Sequence, residues 1–216
     1  MTEATVQALS GLRDLSMVKW YVIPLLAIVF YIYTKEIKLA KENGNWDAVF
    51  SGAAIFGVDF FNETWNGWVL HFSQRSAFWT TPGDTALRTM VGWNIEIMFM
   101  FSLVGIIFYH TLTEGRKVKI LGLPEMWFWA IGYSAFCVFV ECLLNIGGHL
   151  VWEYPYWYLS PKGIPLIFLI GYFHFFCAAI WVITRKTMQA KISLLLFFYA
   201  VPVVMNVIAY ASGWRY

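Results

Sequence analysis

The chain has 216 residues, of which 60% are hydrophobic and only 13% charged, against roughly a quarter charged in soluble domains. Between the clumped charges run apolar stretches long enough to cross a bilayer, which takes about 20 residues, and this excludes a soluble globular domain. A formal net charge of +2, spread along the chain, excludes a nucleic-acid-binding surface.

Residues 1–18 read as an N-terminal interfacial segment of mixed polarity, with no cleavable signal, and 19–216 as a single transmembrane domain. The expected fold class is all-α, a polytopic membrane helix bundle with about six transmembrane helices. Lipid leaves backbone groups no water to bond, and the period-two alternation of a barrel is absent. The expected spans are 19–34, 48–72, 89–112, 126–149, 163–184 and 192–212. Lys19 and Lys35 flank the first and can snorkel to the interfaces.

Loop charges set the orientation. Lys35, Lys38 and Lys41, then Arg116, Lys117 and Lys119, then Arg185, Lys186 and Lys191 fall in alternate loops. The opposite loops hold only Arg75, Arg88 and Lys162. Both termini are therefore expected on the non-cytoplasmic side. Pro82, Gly83 and Asp84 signal a turn between the second and third spans. Trp152 to Trp157 form an aromatic re-entry at a membrane face, and Cys137, Cys142 and Cys177 read as small buried apolar residues.

Ionisable residues inside a span are costly and mark function by default. The second span carries Asp59, Asn62, Glu63 and Asn66; Asp59, Glu63 and Asn66 fall at i, i+4, i+7, on one stripe. The third carries Asn94 and Glu96. The fourth places Glu141, Asn145 and His149 on another stripe, the fifth has His174 and the sixth Asn206. At about 1.5 Å of rise per residue, these groups converge in the non-cytoplasmic half, with Asp59 and His174 near mid-depth. Acids buried together without Lys or Arg partners favour keeping a proton among them, which makes an acid–base pair. The competing reading is a polar network that holds helices together. Aromatic residues, 20% of the chain, exceed an interfacial belt and suit a pocket for a flat or polyunsaturated ligand. Glu125 suits a helix start, and His71, His110 and Glu153 read as interfacial or solvated.

Glu63 followed by Gly67-Trp68-Val69-Leu70, a loop with Ser73-Gln74 and Gly83-Asp84, a span with Asn94 and Glu96, an acidic fourth span, and His174 through Trp181 together resemble the emopamil-binding-protein (EXPERA) sterol-isomerase group over roughly residues 55–185. Asn62 stands where that group carries a histidine near its glutamate. Phe61 to Gly67 (FNETWNG) is also similar to an element of the small integral-membrane terpene cyclases, matched at Asn62 and Trp65, with Asn66 at the glutamate position. Both resemblances imply carbocation chemistry in a membrane pocket.

The expected function is acid–base isomerisation or cyclisation of an isoprenoid or sterol-like lipid. Glu63 or Glu96 would donate a proton, Glu141 or His174 accept one, and Asp59 belong to the same cluster. Trp65, Trp68, Trp93 and Trp181 would stabilise a cation by their ring faces, and Asn62, Asn66, Asn94 and Asn145 contact substrate. The alternatives are a non-catalytic lipid binder, a proton-coupled transporter using Asp59 and Glu63, and a b-type haem protein with haem between His71 and His149. The leading reading needs no cofactor and no metal. The expected partners are a hydrophobic small-molecule or lipid substrate and membrane lipids, with no nucleic acid; a homodimer is compatible with the composition.

Overall fold

The computed structural model describes residues 1–216. Within the N-terminal segment a short helix, α1 (Glu3–Ser10), starts where Thr2 caps Thr5 N–H, and a 3₁₀ turn follows at Leu15–Met17. Helix α2 (Val22–Asn43) continues well past residue 34, because Lys, Glu, Ala and Leu are good helix formers. It ends at Gly44, whose φ of 71° closes the helix in the left-handed conformation.

Helix α3 (Asp47–Ser73) is the central element, with most of one face and much of the other buried. It packs on the helices later in the chain, α4 (Ile95–Thr111), α7 (His174–Ile183) and α8 (Met188–Ala211). Small residues allow this approach. A Cβ on Gly105 would lie 2.4 Å from the Ser51 carbonyl oxygen, and Ser51 Oγ donates to the Gly105 carbonyl at 2.7 Å.

The segment between α3 and α4 is ordered by short strands. Strand β1 (Trp79–Thr80) is followed by the hairpin β2 (Arg88–Met90) and β3 (Trp93–Asn94). Residues expected to begin the third span at 89 therefore lie in a hairpin. Helix α4 starts only at Ile95, where Asn94 Oδ1 accepts the Ile97 N–H at 2.9 Å. Arg88 is buried and donates to the carbonyls of Thr81, Gly83 and Ala8.

At the opposite end β4 (Lys119–Ile120) and β5 (Leu123–Pro124) form a hairpin before α5 (Glu125–Ile146). Glu125 does more than start a helix: its carboxylate accepts Thr113 N–H at 3.0 Å and Thr113 Oγ1–H at 2.7 Å, tying α4 to α5. Strand β6 (Val151–Trp152) then pairs antiparallel with β1. A continuous helical run, Gly163–Ile183, comprises α6 (Gly163–Leu166), a seven-residue π-helical segment (Ile167–Phe173) and α7.

The helices Glu125–Ile146, Gly163–Ile183 and Met188–Ala211 are long and apolar enough to cross a membrane, and Ile95–Thr111 is apolar but shorter. The termini meet at one end of the bundle. Thr2 N–H donates to the Arg75 carbonyl at 3.0 Å, Arg13 reaches the Tyr216 carbonyl, and the Tyr216 ring covers Gly67. At the other end Asp47 accepts from Arg116 at 2.6 Å and from Lys191.

Candidate functional site

A cavity of about 430 Å³ lies between α3, α4, α5 and the π-helical segment, and the β1–β2 and β6 loops border its mouth at the terminal end. Asp59, Asn62, Glu63, Asn94, Glu96 and Glu141 line it, and neither Lys nor Arg does. The i, i+4 spacing on α3 turns Asp59 and Glu63 to this side, and Glu141 meets them from α5.

Each of the three deepest carboxylates is held by an indole. Trp93 Nε1–H donates to Asp59 Oδ2 at 2.8 Å, Trp79 to Glu63 Oε1 at 2.8 Å, and Trp152 to Glu141 Oε1 at 2.9 Å. Indole can only donate, so each contact fixes one acceptor oxygen and leaves the other for a proton or ligand. For Glu63 that second oxygen, Oε2, is buried with no partner. The Trp79 and Trp152 donors come from directly opposed positions of the β1–β6 pair. Tyr172 lines the same cavity as Glu141 and Asp59. The π-helical segment that carries Tyr172 and Gly171 is where the helix is locally widened, a departure often found at functional sites.

Glu96 also lines the cavity, but both of its oxygens are engaged: Tyr21 donates at 2.5 Å, Thr85 at 2.5 Å and the Ala86 N–H at 2.9 Å. It anchors α2 and the β1–β2 loop at the N-terminus of α4, where a carboxylate also complements the helix dipole. Above it the exposed Asp84 pairs with Lys19 at 2.6 Å. That pair holds the Asp84 carboxyl below its ordinary range.

The other expected residues are placed differently. Asn66 is a scaffold, bonding Phe78 N–H and the Trp79 carbonyl and so fixing the strand that carries Trp79. Asn145 bonds the Leu150 carbonyl at the end of α5. Asn94 caps α4. Trp93 acts through its N–H on Asp59 while its ring stacks on Phe60. Trp65 stacks on Phe78 and Trp68 packs edge-on to Trp214, both away from the cavity. Asn206 bonds Thr64 and Pro202, holding α8 to α3. His174 Nε2 lies 3.1 Å from Asn62 Oδ1, and His174 faces a second cavity, which Trp181 also lines. His71 is stacked on Trp214 at 3.8 Å and His110 pairs with Glu36. His149 is at the cavity mouth, so His71 and His149 have separate surroundings.

Trp79, Trp152, Trp157 and Tyr172 also belong to the site, although the sequence points to none of them as site residues. The aromatic run at 152–157 was visible, but its partner strand at 79–80 lies far away in sequence. Between the far halves of α4 and α5 the cavity meets the outer surface of the bundle. Met100 and Phe136 line it while being 44% and 62% exposed.

These features define a helical membrane protein with an acid-lined, tryptophan-braced interior cavity. Over residues 2–211 the chain matches the model of an uncharacterized membrane protein family, and it belongs to that family. A protein of Archaeoglobus fulgidus, described as an uncharacterized protein, is 43% identical over 207 residues, covering 96% of this chain and 95% of the relative. No solved structure matches the chain.

Proposed function

We propose that the protein is an intramembrane acid–base catalyst that moves or closes double bonds in a neutral isoprenoid or sterol-like lipid. The supporting observation is the convergence of Asp59, Glu63 and Glu141, each braced by one indole N–H, on one cavity that neither Lys nor Arg lines. A largely apolar cavity whose charged lining is carboxylate, with neither Lys nor Arg, disfavours a diphosphate headgroup and suits an uncharged substrate.

In this reading Glu63 holds a proton on Oε2 while Oε1 accepts from Trp79. The O–H bond breaks as a C–H bond forms at one alkene carbon, leaving a tertiary cation. The stacked indoles of Trp79 and Trp157, two residues that line the cavity, stabilise it. Glu141 removes a proton from a neighbouring carbon, forming the new alkene, and the proton returns to Glu63 through the acid cluster. Glu96 positions the mouth and does not transfer the proton.

The matching topology has six crossings, by α2, α3, α4, α5, the run Gly163–Ile183 and α8. Both termini are non-cytoplasmic, and the Asp47–Arg116–Lys191 end is cytoplasmic, by the charge bias. The experiment is incubation of purified protein with a panel of neutral polyenes and sterols in deuterated buffer, with mass analysis of the products. We expect one deuterium at the rearranged carbon, lost in Glu63→Gln and Glu141→Gln while circular dichroism stays unchanged. Full turnover in both variants would sink the mechanism.

A proton-coupled carrier is the second reading. Its supporting observation is that the Asn62–His174 contact separates two cavities on opposite sides of α3. Proton-dependent flux in liposomes, abolished in Asp59→Asn, would favour it.

A further inference from the structure

The second cavity, about 740 Å³, runs along the outer side of α7 between α3, α5 and α8. Its walls are apolar, among them Val58, Phe61, Phe198 and Val201, and His174 stands at its inner end. At its outer end are Thr184 and Arg185, next to the basic end of the bundle. Arg185 spends its Nε–H on the Trp181 carbonyl at 3.1 Å, and its guanidinium lies 5.9 Å from the Trp181 ring centroid. It has no carboxylate partner: the ion pairs of the protein are Lys19–Asp84, His110–Glu36, Arg116–Asp47 and Lys191–Asp47.

The length of this cavity matches a leaflet. From His174 to Arg185 along the helix the rise is about 16 Å at 1.5 Å per residue, which is half of a hydrocarbon core of about 30 Å. An apolar slot of one leaflet's depth, ending in an unpaired guanidinium at the interface, is complementary to a single lipid with an acyl or prenyl chain and an anionic phosphate head.

We propose that this cavity is a binding site for one anionic phospholipid of the adjoining leaflet, with its phosphate on Arg185 and its chain end against His174. The site stands apart from the acid-lined cavity and does not depend on the reaction proposed there. Bidentate geometry makes arginine suited to phosphate, and Trp127 and Trp181 flank the slot at interfacial depth.

The test is native mass spectrometry of the full chain released from vesicles of equal phosphatidylglycerol and phosphatidylcholine. The expected result is one retained lipid, enriched in phosphatidylglycerol over the vesicle ratio. Arg185→Gln should cut that enrichment about fivefold, the weight of one basic side chain at an anionic membrane surface, while Lys186→Gln leaves it unchanged. Val201→Trp, which fills the slot, should lose the retained lipid of either kind. Retention at the vesicle ratio by the unaltered protein, undiminished enrichment in Arg185→Gln, or full retention in Val201→Trp would each overturn the assignment. Arg185 is exposed, so its variant folds and keeps the test decisive.

Discussion

Trp79 and Trp152 face each other across the β1–β6 pair, and their indoles donate to different acids, Glu63 on α3 and Glu141 on α5. A two-residue strand pair therefore couples two loops to two buried carboxylates. Replacing Trp79 with Phe leaves Glu63 with both oxygens buried and unpartnered, a loss of about 1–3 kcal/mol. It should appear as a lowered melting temperature in detergent. Adding Glu63→Leu should recover most of it, because removing both partners of a buried hydrogen bond is nearly neutral. Simple additivity of the two substitutions would show that the contact carries no energy.

The close approach of α3 and α4 gives a second expectation. A side chain at Gly105 meets backbone, the Ser51 carbonyl, which has no flexible end to move aside. Gly105→Val should therefore destabilise by about 3 kcal/mol, the upper end of overpacking costs. Ser51→Ala removes only a donor to a helix carbonyl and should cost about 1 kcal/mol. Equal melting temperatures for the two variants would contradict this packing.

The helices and the acid stripe were legible in sequence because both depend on local periodicity: hydropathy marks α5 and α8, and i, i+4 spacing puts Asp59 beside Glu63. The tryptophans that brace them were not. The i, i+4, i+7 stripe also includes Asn66, which the fold uses as a clamp on the Trp79 strand. Nothing local distinguishes a side chain that faces a cavity from one that faces a returning loop. The start of α4 departs from the expected span for the same reason, since Thr89 to Trp93 is apolar enough to extend a span but is diverted into a hairpin around buried Arg88. The π-helical segment has the composition of an ordinary apolar helix.

The Lys19–Asp84 pair sits over the cavity mouth and has a defined pH response. The hydrogen bond from Lys19, with its charge, depresses the folded-state carboxyl below its ordinary value of 3.8. A depressed carboxyl stabilises above its unfolded value, and this contribution is lost as pH falls through the folded value. The strap should thus hold from neutral pH down to about pH 4 and release only below it. Carboxyl carbon shifts of Asp84 read this directly. A midpoint above 3.8 would show the pair absent in solution, and Lys19→Gln should raise the midpoint.

At the opposite end, Asp47 joins the start of α3 to the loop after α4 through Arg116 and to α8 through Lys191. The carboxylate is buried, and Asp47→Asn leaves two cations sharing one neutral acceptor. Breaking a buried pair costs 3–5 kcal/mol, and the partial exposure of Arg116 puts this site at about 3 kcal/mol. Thermal unfolding in detergent should show the loss, and Arg116→Gln should show less because Lys191 stays paired. If Asp47→Asn melts like the unaltered protein, the knot is not a stabilising element.

The last expectation concerns entry to the acid cavity. At the basic end α4 and α5 are tied by Glu125 to Thr113, by Thr111 to Tyr133 at 2.7 Å, and by the Phe108–Tyr133 ring contact. No hydrogen bond or ring contact joins the other halves of these helices, where Met100 and Phe136 line the cavity and also face outward. There the cavity reaches the outer surface sideways, between Met100 and Phe136, the direction from which a membrane-dissolved lipid arrives. Met100→Trp narrows that opening without touching Glu63, Glu141 or their indoles. For a lipid that enters there, kcat/KM should drop about tenfold or more while kcat at saturation changes little, the pattern of impaired access with intact chemistry. Because Met100 is exposed on the outer face, unfolding stability should stay within about 0.5 kcal/mol of the unaltered protein, as for most surface substitutions. An unchanged kcat/KM in a folded Met100→Trp variant would place the entrance elsewhere, with the loop end at Asp84 and His149 as the remaining opening of the cavity.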